Sequence, residues 1–111
     1  MLNKKKCVPC QGGILPLNKD EIQKMLPSLD DGWIVENDKE LKKEYQFSVY
    51  KDAISFTNKI AELADEEGHH PYIHINFKKV VIILFTHKID GLHENDFILA
   101  SKADKVFHSN F

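Results

Sequence analysis

Apolar positions recur along the chain with two periods, and the switches between them mark out seven elements. Asn18-Lys19-Asp20-Glu21 has the form of an N-cap followed three residues later by Glu, and Ile22, Met25, Leu26 and Leu29 follow at helical spacing, which predicts a helix over 18–29 with Pro27 near its end. Residues 33–36, Trp-Ile-Val-Glu, read as a strand, Asn37-Asp38 as a turn, and the alternation of Leu41, Tyr45, Phe47 and Val49 as a second strand, giving a hairpin with one buried face. From Tyr50 the period becomes helical: Ala53, Phe56, Ile60 and Leu63 form one stripe running to about Glu67, where Gly68 supplies a stop.

After Pro71 the pattern predicts strands over 72–77 and 80–87 joined by Lys78-Lys79, the second so apolar that it belongs at the centre of the sheet. Asp90-Gly91 marks a loop, and Phe97, Ala100, Asp104 and Phe107 predict a last helix over 94–108. The order α-β-β-α-β-β-α predicts an α+β fold, an antiparallel sheet covered by helices. If Lys78-Lys79 is the hairpin loop, paired residue numbers sum to 157 and His70 stands opposite His87. The same count puts Ile73, Ile75 and Phe77 with Val80, Ile82 and Leu84 on the helix-covered face, and Tyr72, His74 and Asn76 on the other.

A length of 111 residues, 42% of them hydrophobic and 29% charged, predicts a single domain over residues 1–111, with 1–13 a flexible segment ahead of the first folding signal. The formal charge of −2 carries no like-sign block except Lys4-Lys5-Lys6, so no nucleic-acid partner is expected. No apolar run approaches the roughly 20 residues of a membrane span and the start lacks a signal-peptide core, so the expectation is a cytoplasmic protein with no membrane association. Cys7 and Cys10 form a lone C-x-x-C without a second ligand pair, and read as free thiols rather than a zinc knuckle.

The candidate chemistry lies in "EEGHHPYIH", residues 66–74. His69, His70 and His87 are predicted to converge at one end of the second hairpin, where three imidazoles cost solvation unless something uses them. A metal is one use. His70 and His74 would stand about 13 Å apart on a strand, too far to share an ion, which leaves only a site from His70, His87 and a carboxylate open. Acid–base chemistry fits better, because imidazole titrates near 6.5 and both gives and takes protons near neutral pH. His69 and His70 also follow a helix C-terminus, whose partial negative charge favours their protonated forms. Isolated His74 and His108 read as solvated or hydrogen-bonded residues, and His93 as a helix-start residue.

Asp65, three residues, His69-His70-Pro71, five residues, Phe77, nine residues, His87, eight residues and Asp96 make seven positions at fixed gaps over 32 residues. With Trp33, "FTNKIAELADEEGHHP", "THKIDGLHENDF" and "CVPCQGG", this pattern resembles the pterin-4a-carbinolamine dehydratases over nearly the whole chain. The resemblance implies a four-stranded antiparallel sheet with helices on one face and a homodimer or homotetramer. It also implies loss of water from 4a-hydroxytetrahydropterin to give quinonoid dihydropterin, a hydro-lyase reaction with neither metal nor organic cofactor. The product would be recycled for aromatic amino acid hydroxylases such as phenylalanine hydroxylase.

By position, His69 and His87 would transfer protons and His70 would mainly bind the pterin. Asp65 would orient one of the histidines, and Pro71, Phe77 and Asp96 complete the motif, Phe77 and Asp96 at positions suited to packing and capping. His93 stands where many members have Thr, which removes a hydroxyl N-cap from the last helix. A non-catalytic dimerisation partner of a transcription factor, of the same fold, is the rival reading; an intact set of three histidines favours catalysis.

Overall fold

The computed structural model describes residues 2–8 and 12–111. Helix α1 (Lys19–Met25) starts in the predicted capping box: the Asn18 side chain accepts from the Glu21 amide and the Glu21 side chain from that of Asn18, both at 2.9 Å. It is shorter than predicted, because Pro27 brings it to a close as a 3-10 turn, Leu26–Ser28. Strands β1 (Ile34–Glu36) and β2 (Glu40–Gln46) are joined through Asn37 and Asp38, which both take left-handed backbone angles that their residue types tolerate. β2 stops short of Val49, whose extended backbone instead opens α2 (Tyr50–Glu67).

Strands β3 (Tyr72–Asn76) and β4 (Lys79–Leu84) complete a four-stranded antiparallel sheet of order β1-β2-β4-β3, with β4 paired on both sides as its apolar run predicts. Helix α3 (Glu94–Asn110) closes the chain. The core lies between one face of the sheet, carrying Leu41, Tyr45, Val80, Ile82 and Leu84, and the helices, which contribute Phe56 and Ile60 from α2 and Phe97, Leu99 and Ala103 from α3. These side chains are at most 2% exposed.

The hairpin register differs from the prediction. Asn76 pairs with Lys79 and Ile73 with Ile82, so the paired numbers sum to 155 and the turn is Phe77-Lys78, not Lys78-Lys79. Phe77 takes φ +55°, a conformation that disfavours a bulky side chain, while its ring lies exposed against Tyr50 at 6.2 Å. Counting on by the observed register sets His70 level with Phe85, not His87. β4 ends at Leu84, and His87 begins a 3-10 turn, His87–Ile89. A slip of two preserves parity, so the assignment of β3 and β4 side chains to the two faces holds.

Candidate active site

The cleft forms where the end of α2, the end of β4 and the start of α3 meet. Gly68 takes φ +65° as the left-handed cap of α2, its amide donating to the Asp65 carbonyl at 3.3 Å and that of His69 to the Ala64 carbonyl at 3.2 Å. This paired closure stops the helix and directs His69 and His70 off its end, and Pro71 then carries the chain into β3. His87 sits in the loop of residues 86–91, closed by backbone bonds between Thr86 and Gly91. A Cβ added to Gly91 would meet Pro16 at 2.6 Å, so the N-terminal chain packs directly against the loop that carries His87.

His69 is the most constrained of the three histidines. Its Nε2 lies 2.6 Å from Oδ1 of Asp96, a carboxyl with no exposed surface, while Oδ2 of Asp96 accepts from the Thr86 hydroxyl at 2.7 Å and the His93 amide at 3.0 Å. With the carboxylate as acceptor of all three, Nε2 of His69 carries the hydrogen and Nδ1 is the free nitrogen. His93 replaces the missing hydroxyl cap with its ring: Nδ1 accepts from the Asn95 amide at 2.9 Å, and Asp96 completes the capping box. His70 bonds Asp65 at 2.9 Å, both side chains largely in solvent. His87 is exposed, its ring edge-on to Phe85 at 4.6 Å.

His69, His70 and His87 share a cavity of about 380 Å³ with Val8, Phe85, Thr86 and Asn95. A second hollow of about 230 Å³ continues past His70, Phe85 and His87 onto the open sheet face, where Tyr72, Ile83 and Glu40 line it. The structure thus gathers the three histidines, with Asp96 behind one and Asp65 beside another. It does not bring Phe77 to them: that ring lies at the far end of the hairpin, about 23 Å away by strand rise. Among the described residues no group of three or more His, Cys, Asp or Glu is disposed to hold a metal ion.

Glu40, Val8 and Asn95 carry no local sequence signal, since chain topology alone brings them to the cleft. Cys10 lies outside the described residues. Cys7 is a free thiol pushed up to about 12, first by burial and then by the charge of Glu67.

A larger hollow of about 460 Å³ lies on the other side of α3. Its buried acid, Asp104, is already occupied by the Trp33 indole at 2.9 Å, Lys43 at 2.8 Å and the Tyr45 hydroxyl at 2.5 Å. Burial, then the charge of Asp104, raises the Tyr45 phenol well above its usual range. This network joins β2 to α3 and satisfies both carboxylate oxygens of Asp104.

Residues 15–106 match the family model described as pterin 4 alpha carbinolamine dehydratase. A "Putative pterin-4-alpha-carbinolamine dehydratase" from Alkaliphilus metalliredigens is 50% identical over 104 residues, 94% of each chain. A protein of the same name from Rickettsia bellii is 50% identical over 103 residues, 93% of this chain and 91% of its own. Among solved structures, a transcriptional coactivator/pterin dehydratase from Brucella melitensis superposes with a TM-score of 0.76 at 26% identity, covering 82% of this chain and 97% of that one. A pterin dehydratase-like protein identified as a RuBisCO assembly factor in the alpha-carboxysome gives 0.59 at 25% identity, covering 68% and 88%. With a match across most of its length, and close relatives over nearly all of it, the chain belongs to the pterin 4 alpha carbinolamine dehydratase family.

Proposed function

We propose that the protein dehydrates 4a-hydroxytetrahydropterin to quinonoid dihydropterin by histidine acid–base catalysis. The observation that carries this reading is the set of three imidazoles around one cleft, one of them held by a buried carboxylate. In the reaction the C4a–O bond breaks, the departing hydroxyl takes a proton and leaves as water, N5 loses its proton, and a C4a–N5 double bond forms. One imidazole supplies the first proton and another removes the second, so the protein's net protonation is unchanged after a turnover. His69, with Nδ1 free and Nε2 fixed on Asp96, and His87, on its closed loop, are assigned these two steps.

His70 is assigned mainly to binding. The Glu40 side chain carries no hydrogen bond or ion pair among the described residues and offers acceptors to the N–H groups of the aminopyrimidine edge. Neither metal nor organic cofactor enters the scheme. The free edges of β1 and β3, and Ile34 and Tyr72 at 53% and 67% exposure, support self-association as a dimer or tetramer. Supply of pterin to an aromatic amino acid hydroxylase such as phenylalanine hydroxylase is the proposed setting.

Steady-state dehydration of a synthetic carbinolamine tests the reading. His69→Ala or His87→Ala should each lower kcat about 100-fold, the low end for a positioned acid or base, because each can partly replace the other; the double variant should fall much further. His70→Ala should raise KM more than it lowers kcat, and a chelator should change nothing. Full activity in a folded double variant would remove these histidines from the chemistry. A wild type without dehydratase activity would favour the second reading, a non-catalytic interaction protein, which draws on the coactivator and assembly-factor names of the two structural neighbours.

A further inference from the structure

Residues 5–8 precede the stretch that matches the family model, yet they are tied to the catalytic end of the fold at three points. Lys5 pairs with Glu94 at 3.1 Å, and the Cys7 amide donates to Glu67 at 2.8 Å. The Asn95 side chain, in a residue only 2% exposed, takes both backbone groups of Val8: it accepts from the amide at 2.9 Å and donates to the carbonyl at 2.6 Å. Glu67 is itself held by Lys102 at 2.7 Å. The first turn of α3 therefore holds two things at once, the strap through Glu94 and Asn95 and His69 through Asp96.

The strap is not merely nearby. Val8 lines the same cavity as His69, His70 and His87, with its residue 58% exposed. An apolar side chain left in solvent beside three imidazoles, on a backbone clamped by a buried amide, is a surface built to meet the face of a flat ring.

We infer that residues 5–8 form one wall of the pterin cleft, with Val8 as a substrate-binding contact and Asn95 as the residue that positions it. This rests on the dehydratase reading, and wild-type turnover tests that reading first: a protein that neither dehydrates the carbinolamine nor binds biopterin removes both. Given an active wild type, Val8→Ser, which keeps the backbone clamp and removes the apolar wall, should raise KM about five- to tenfold and change kcat far less.

Asn95→Ala should release the strap. KM should rise similarly, and iodoacetamide should label Cys7, mapped by peptide mass, about tenfold faster than in the wild type. An unchanged KM in Val8→Ser overturns the inference while leaving the dehydratase reading intact. So does rapid Cys7 labelling in Asn95→Ala with an unchanged KM, since the cleft would then be indifferent to the strap. If Asn95→Ala does not fold, the exposed Val8→Ser variant decides alone.

Discussion

Two histidine–carboxylate pairs leave the same helix end, and they differ in everything but length. His69–Asp96 spans 2.6 Å with side-chain exposures of 13% and 0%, and the carboxylate is fixed by Thr86 and the His93 amide. His70–Asp65 spans 2.9 Å with exposures of 64% and 83%, both side chains largely in solvent. A short distance therefore says little by itself. The buried pair fixes a ring and its tautomer because nothing else can replace its partner, whereas solvent competes for both members of the exposed pair and leaves its ring free to follow a ligand.

The largest test of this contrast is Asp96→Asn. One oxygen becomes a donor, so the amide can no longer accept all three bonds, and His69 either changes tautomer or loses its anchor. We expect kcat to fall about 100-fold, with a lower melting temperature. Steady-state kinetics with a thermal melt checks both.

Next is Glu67, at the C-terminal end of α2, whose buried pair with Lys102 resembles the inner histidine pair more than the outer one. Burial alone would raise its carboxyl, but the bonds from Lys102 and the Cys7 amide outweigh this and hold it below the usual range. A lowered folded value means stability that is fully present above the ordinary carboxylate range near 4.3 and is lost as pH falls through the folded value. Glu67→Gln should thus cost about 2 kcal/mol at neutral pH, and urea titrations should find that difference closing below about pH 4.

Gly68→Ala should cost about 1 kcal/mol, because the left-handed cap at φ +65° disfavours a Cβ although nothing lies within 4 Å of it. It disturbs both pairs together, since both histidines leave from that residue. The smallest effect belongs to Asp65→Asn, with kcat within about twofold and a melting temperature unchanged. A hundredfold loss in that variant would mean that the outer pair, not the buried one, carries the positioning.

Much of this was legible in the chain. The helical stripe of Ala53, Phe56 and Ile60 and the apolar run of β4 each buried the face that their period predicted. The turn was not legible, because Lys78-Lys79 looked no worse than Phe77-Lys78, and a phenylalanine accepting a left-handed angle gives no compositional sign. The misplaced turn set His70 against the wrong partner, while the cleft still gathers His70 and His87 because α2 and the loop of residues 86–91 end at the same level.

Asp96 appeared in the motif as a cap. Its cap to His93 is local and readable, but its bond to His69 joins residues 27 apart and depends on how α3 packs across α2. Val8 lay before the first periodic signal and 87 residues from Asn95, where no pattern along the sequence could point.

The closure of α2 also makes its 18 residues a measuring rod. One residue inserted or removed within it would rotate everything beyond by about 100° and shift it by about 1.5 Å. His69 would then face away from Asp96 although every residue lining the cleft was still present. The turns at the tips of the two hairpins face no such constraint. Descendants of this chain are free to vary in length there, while insertions and deletions in α2 should be eliminated even at exposed positions whose side chains touch nothing of consequence.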